Sequence, residues 1–172
     1  MDGGSRPSGL RFLQNLSYLV STAVGYKDPA RRRNEDARFR YQLLRRIEVI
    51  RGSLDGLAER AAEEEARALL EQAAAVQRLL DRSVAAVRYR PAGSAAPFAR
   101  VVLDDSRLDA ILEIDLILFE DLERIEAWAH RQGLAATQSA PAIRLETLEA
   151  AIEQFEEHLL ERDRLLGERE DG

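Results

Sequence analysis

Between Phe39 and Val87 the chain places an apolar residue at every third or fourth position, and no proline interrupts the run. Phe39, Leu43, Ile47, Ile50, Leu54, Leu57 and Ala61 form one stripe. Leu69, Ala73, Val76, Leu80, Val84 and Val87 resume it one residue out of phase, and Pro91 closes it. A repeat near 3.6 residues collects such positions on a single helix face, whereas a strand would need alternation. As one piece the span 29–89 would be a helix of about 90 Å. The turn chemistry within it is "RGSLDGL", with Gly52, Ser53 and Gly56, so two helices with a break there are expected. The run "AERAAEEEARA" that carries the phase slip is rich in strong helix formers and is expected to stay helical.

The same logic covers the remainder. Ala, Leu, Glu and Arg dominate, and the five prolines sit in spacers or at inferred helix ends. Asp28 reads as a cap with Pro29 at the first helical position. Ser106 and Asp109 have the spacing of a capping box, which starts a third long helix over 107–132, and Gly133 is its expected stop. A short extended piece is expected at Ala99 to Leu103. Ser139 can cap a last helix whose stripe is Leu145, Leu148, Ile152, Phe155, Leu159 and Leu166. The expected fold is all-α: a four-helix, mostly antiparallel bundle with an additional N-terminal amphipathic helix. The expected divisions are a flexible terminus over 1–9, a docking helix over 10–26, the bundle over 27–168 and a frayed end over 169–172.

With 172 residues, 45% of them apolar, the chain is long enough for one domain with a substantial core. It has no cysteine, which excludes a disulfide framework, a Cys-based zinc site and a thiol nucleophile, and is compatible with a cytoplasmic protein. His130 and His158 are the two histidines, too few for a His-rich metal centre. Phosphate-binding glycine loops, nucleophile elbows and zinc-type His-Glu motifs are missing, so no cofactor, metal or small-molecule substrate is inferred. The net charge of −6 divides unevenly: eleven Lys or Arg face five acids up to Arg51, and fourteen face twenty-six beyond it. Either the basic part meets an anionic surface, or the two parts fold together and pair their charges. Lys27, Arg31, Arg32, Arg33, Arg38 and Arg40 lie among Phe39 and Tyr41, which makes phosphate contact feasible. The acidic balance and the lack of a reader motif argue against nucleic acid as the partner.

Two positions invite functional tests. Asp115 falls in the apolar face of "LDAILEIDLILFEDLERIEAW", where a lone carboxylate would cost several kcal/mol, so it needs a partner. Arg38, Arg45 and Arg46 are the candidates; a protonatable or metal-binding acid is the sharper alternative. Ile114, Leu116 and Ile117 broaden that helix's apolar arc, as expected of a central helix. Further on, Arg124 and His130 in "RIEAWAH" resemble the spaced Arg–His pair of the HEPN family of helical ribonucleases. That resemblance implies RNA cleavage by Arg124 and His130 across a dimer. It covers seven residues of 172, and Ile125 stands where that family often has a polar residue.

The opening stretch "GLRFLQNLSYLVSTAVGYKDPARRRN" carries the functional expectation. On a helical wheel Phe12, Leu13, Leu16, Leu19, Val20, Ala23 and Val24 occupy one half; Gln14, Asn15, Ser17, Tyr18, Ser21, Thr22 and Gly25 occupy the other. This separation argues against a membrane span and against a secretory signal. It leaves two readings: the apolar face packs on the bundle, or it docks outward while Lys27, Arg31, Arg32 and Arg33 attract an anionic membrane. The order of amphipathic helix, Asp-Pro and long helix resembles that of the membrane-remodelling phage-shock proteins, although the later chain does not follow them. The expectation is a non-enzymatic interaction protein that docks through Phe12, Leu13, Leu16, Leu19, Val20, Val24 and the basic segment. Its partner would be a protein, a second copy of itself or an anionic membrane surface, with the chain cytoplasmic or peripheral to a membrane.

Overall fold

A computed structural model describes residues 9–28, 30–89, 103–135 and 145–167, and the side chains of 14–28, 30–89, 103–130 and 147–166. Every regular element among the described residues is a helix: α1 Gly9–Lys27, α2 Arg32–Glu63, α3 Arg67–Arg88, α4 Asp105–Ala135 and α5 Leu145–Gly167. Pro29, Ser139, the piece from Ala99 to Val102 and both expected loose ends lie outside the described residues, except Gly9, which opens α1. Asp28 does act at the start of the second segment: its carboxylate accepts the Ala30 N–H at 2.9 Å, and α2 proper follows from Arg32.

Three boundaries differ from the sequence expectation, each for a physical reason. The break between the first two long helices is not at Gly52–Gly56, through which α2 runs without interruption; it falls at Glu64–Ala66, inside the acidic run. Two glycines weaken a helix by about 1 kcal/mol each, which the burial of Leu54 and Leu57 beside them offsets. Past Ala61 no large apolar side chain ties the chain down until Leu69, so the reversal costs least there. The turn closes as a Schellman motif: Ala66 N–H donates to Ala61 O at 2.8 Å and Glu65 N–H to Ala62 O at 3.2 Å. Glu65 takes the left-handed position, φ 55°, where glycine is the usual occupant. Second, α4 is capped by Asp104 rather than Ser106, because the Asp104 carboxylate accepts the Arg107 N–H at 2.7 Å. Third, Gly133 does not end α4, which continues to Ala135.

The helices pack in a closed ring, α2 on α3, α3 on α5, α5 on α4 and α4 on α2, with α1 laid against α4 and α2 from outside. Side-chain pairs give the directions. Arg51 meets Asp81 and Gln77 meets Asp55, so α3 runs back along α2. Asp115 meets Arg162 and Arg124 meets Gln154, so α5 runs back along α4. Arg46 reaches Phe119 and Glu123, while Phe39 meets the Phe119 ring at a tilt, which makes α2 and α4 parallel. The broad apolar arc of α4 follows from its three neighbours, α1, α2 and α5.

From Phe39 to Leu57 and from Val76 to Val87 the two stripes are buried in one core with Leu118, Phe119, Leu122 and Ile125 of α4 and Leu148, Ile152, Phe155 and Leu159 of α5, and the partly buried Leu69 packs against it. Each such side chain contributes roughly 1.5–3 kcal/mol on full burial. A second, smaller cluster of Tyr26, Leu108, Ile111 and Leu166 closes one end. Between the two lies a layer of charge.

Candidate functional site

That charged layer is centred on Arg162. Its position on α5 falls between Leu159 and Leu166 of the apolar stripe, so the guanidinium is carried into the interior and is fully buried. Nε donates to Asp115 of α4, Nη1 to Asp36 of α2 at 2.6 Å, and Nη2 to the Tyr26 hydroxyl of α1 at 2.6 Å. Its face lies 4.4 Å over the Phe39 ring. Arg40 continues the layer, bonding Asp36 at 3.2 Å, the Val87 carbonyl of α3 at 2.9 Å and Asp163 of α5. All five helices are thereby tied at one level.

Asp115 is thus paired inside one chain, and its partner is Arg162 rather than Arg38, Arg45 or Arg46. Those three lie on faces of α2 turned away from it: Arg38 and Arg45 are exposed, and Arg46 engages Glu123. Burial pushes the Asp115 carboxyl up to about 6, against the pull of Arg162, and its Oδ2 finds no partner among the described residues. Burial opposes the Arg162 charge too, but Asp115, Tyr26 and Asp36 outweigh it and hold the guanidinium well above its ordinary value. Burial also raises the Tyr26 hydroxyl, which stays a donor or acceptor and not an anion.

The second feature is the way α1 sits. Asn15, Leu19, Thr22, Gly25 and Tyr26 are buried, and Tyr18 is half-buried against Phe119 with ring centroids 5.8 Å apart. Four of these, Asn15, Tyr18, Thr22 and Gly25, belong to the polar half of the wheel. The opposite line, Leu16, Val20 and Val24 at successive turns, is 41%, 61% and 66% exposed. Of the two sequence readings, packing of the apolar half on the helical body holds for Leu19 and fails for Leu16, Val20 and Val24, because the groove between α2 and α4 carries charge. Asn15 Nδ2 donates to Glu123 Oε1 at 2.7 Å, Arg46 donates to both Asn15 and Glu123, and its guanidinium covers the Phe119 ring at 4.4 Å. An aliphatic in place of Asn15 would take one hydrogen bond from the buried Glu123 carboxylate and leave it to Arg46 alone. At the other end Gly25 lets the helices touch: a Cβ there would stand 2.3 Å from Glu35 Cγ.

The sequence-derived docking residues divide accordingly. Leu16, Val20 and Val24 form the outward ridge; Leu19 points into the core; the side chains of Phe12 and Leu13 lie outside the described residues. Lys27 is exposed and pairs with Asp105 at 3.3 Å, Arg31 pairs with Asp28 at 3.3 Å, and Arg33 is exposed. Arg32 is not on the surface: it is buried, donating to the Tyr26 carbonyl at 2.6 Å. The charge asymmetry along the chain is resolved in part by pairing, as in Arg46–Glu123, Arg51–Asp81 and Arg40–Asp163.

Arg124 and His130 do not converge within one chain. Six positions apart, they project about 120° from each other around the helix axis. His130 is exposed, while Arg124 is held by Asp121 at 3.5 Å and Gln154 at 3.4 Å. The histidine that does meet a carboxylate is His158, whose Nδ1 lies 2.6 Å from Asp121 Oδ2.

Among the described residues no group of three or more His, Asp or Glu is placed to hold a metal, and no helix is long and apolar enough to cross a membrane. No family model, curated protein or solved structure matches the chain.

Proposed function

We propose that this chain is a non-enzymatic helical interaction protein: a four-helix bundle of α2 to α5 that holds α1 by its polar face and presents α1's apolar ridge for docking. The observation that carries the reading is the outward line of Leu16, Val20 and Val24 on a helix whose polar side is anchored at both ends by buried hydrogen bonds. Covering such side chains returns on the order of 1 kcal/mol each. The anchors hold the ridge rigid, so a partner would bind without first having to order it. The occupant is a partner protein surface, with a membrane interface as the second choice through the neighbouring Lys27, Arg31 and Arg33. Docking on a membrane would make the chain peripheral, with α1 lying in the interface.

Deleting α1 is a poor test, since Tyr26 and Asn15 complete buried networks. Substituting the ridge alone, Leu16→Ser, Val20→Ser and Val24→Ser together, is the better one. The full chain and the triple variant are compared by sedimentation velocity and by pelleting with vesicles of phosphatidylethanolamine and phosphatidylglycerol. The expected result is association by the parent that the variant loses, with thermal unfolding unchanged. Association that survives the triple substitution, or none by the parent in either assay, would sink the reading.

A further inference from the structure

The ridge has flanks, and their charges identify the occupant. On α2, Arg31, Arg38 and Arg45 recur every seven residues, which is two turns, and all three are exposed. They border α1: Glu35, one turn from both Arg31 and Arg38, touches Gly25, and Arg45 adjoins Arg46, which holds Asn15. Arg38 also lies close enough to bear on the Tyr18 hydroxyl. Across α1, the outer side of α4 carries Asp109 and Glu113, both exposed, and the half-buried Glu120. These three stand one step around α4 from the line of Leu112, Leu116 and Glu123, and Glu123 holds Asn15 of α1. The apolar ridge therefore runs between a basic row and an acidic row.

The rows are level with each other. Arg46 meets Glu123, 77 positions on, and α2 and α4 are parallel. Positions 31, 38 and 45 accordingly lie level with 108, 115 and 122, each within about 3 Å along the axis of Asp109, Glu113 and Glu120 at 1.5 Å per residue. A surface with an apolar centre and matched rows of opposite sign is complementary to itself. Two copies facing each other about a two-fold axis parallel to α1 bring each basic row against the partner's acidic row. A two-fold axis lying across α1 would instead oppose like rows. An anionic membrane would meet the acidic row as well as the basic one and be repelled by it.

Resting on the docking reading above, we infer that the occupant of the ridge is a second copy of this chain, forming an isologous dimer with the two α1 helices parallel. Leu16, Val20 and Val24 then each face their own counterpart. The intramolecular pairs of Arg31 with Asp28 and Arg38 with Glu35 are surface pairs of small worth and do not compete strongly with interface contacts.

The native chain has no cysteine, so single substitutions report the pairing directly. Leu16→Cys, Val20→Cys and Val24→Cys are oxidised separately in the full chain. The expected result is a disulfide-linked dimer from all three. Crosslinking at one position, with Leu16→Cys and Val24→Cys linking when mixed, would mean antiparallel helices and overturn the pairing. Charge reversal gives an independent check. A chain with Arg31→Glu, Arg38→Glu and Arg45→Glu, and another with Asp109→Lys, Glu113→Lys and Glu120→Lys, should each dimerise at least tenfold more weakly than the parent. An equimolar mixture of the two should recover the parent's affinity; a mixture no better than either alone would overturn the row-to-row contact. If sedimentation finds the parent monomeric while the ridge-dependent vesicle pelleting persists, self-association is wrong and the docking reading stands. A monomer that pellets with nothing removes both.

Discussion

α1 and α5 are amphipathic helices of similar length that lie on opposite sides of α4, and they face it in opposite ways. α5 turns its apolar stripe inward, with Leu148, Ile152, Phe155, Leu159 and Leu166 all buried. α1 turns its apolar line outward and buries Asn15, Thr22 and Tyr26. The difference lies in the groove. α5 brings its stripe into the apolar core it shares with α3 and α4 and carries Arg162 beside that core, whereas α1 meets Arg46, Glu123 and Arg162 through Asn15 and Tyr26. Leaving a buried charge without its partner costs about 3–5 kcal/mol, which exceeds the roughly 1.5–3 kcal/mol that one aliphatic gains from burial. Polar demand in the receiving surface, not the helix's own pattern, decided which face of α1 goes in.

Arg162 is where the two interfaces share a residue, and removing it should have the largest effect. In Arg162→Met, Asp115 loses its partner in a fully buried position and Tyr26 loses its hold on α5. A loss of about 3–5 kcal/mol is expected in urea unfolding. Adding Asp115→Leu to that variant should recover much of it, because both members of the pair are then replaced by apolar groups. If the double variant is no better than the single one, the layer stabilises by more than charge pairing.

The contrast between faces is sharpened by two truncations of similar size. Ile152→Ala on α5 should cost about 2–5 kcal/mol, the usual range for emptying a core position. Val20→Ala on α1 should change unfolding of the monomer by less than about 0.5 kcal/mol, as a surface substitution does. Comparable losses at both would show that the Val20 face is packed against something within the chain.

How much of this was legible beforehand follows from the same contrast. The stripes of α2, α3 and α5 fixed their buried faces, since period and burial agree wherever the neighbour is apolar. Asp115 was visible as a misfit on an apolar face. Its partner was not, although Arg162 is the matching misfit on α5: two residues 47 apart have no sequence relation until α4 and α5 lie antiparallel. Asp36 and Arg40, on either side of Phe39, carry the same signal, a charge on the buried stripe of a long helix. The α1 inversion was hidden because the wheel describes one helix and says nothing of the groove. The turn at Glu64–Ala66 was hidden because its composition favours helix and Glu65 stands where glycine would have announced it.

A pH series tests whether the charged layer is under strain. Asp115 is pushed up to about 6 when folded, against about 3.9 for an unfolded aspartate. A raised carboxyl binds its proton more tightly in the folded chain. Its contribution to stability is therefore best below about 3.9, declines as pH rises towards 6, and stays low above that. Relative to Asp115→Asn, the parent should lose roughly 1–3 kcal/mol between pH 4 and pH 7, measured by urea unfolding at each pH. A difference between the two that does not change with pH would mean the carboxylate is ionised in the fold at little cost.

Among the buried positions the smallest effect should come from the outer anchor of α1, and it should be local. Asn15→Ala removes the bond to Glu123 and the one from Arg46, but those two still pair with each other at 3.1 Å, so no charge is stranded. A hydrogen bond to a charged group contributes about 1.5–3 kcal/mol at most, and here the surviving Arg46–Glu123 pair should limit the loss to about 1 kcal/mol. That loss should appear in the half of α1 that Asn15 holds, while Tyr26 still ties the helix's other end to Arg162. Amide exchange near residue 15 should accelerate by about fivefold, with protection in α5 unchanged. Equal acceleration in both helices would mean that α1 opens only when the whole body does. The polar anchors would then belong to the core, and the ridge would be as rigid as the helices beneath it.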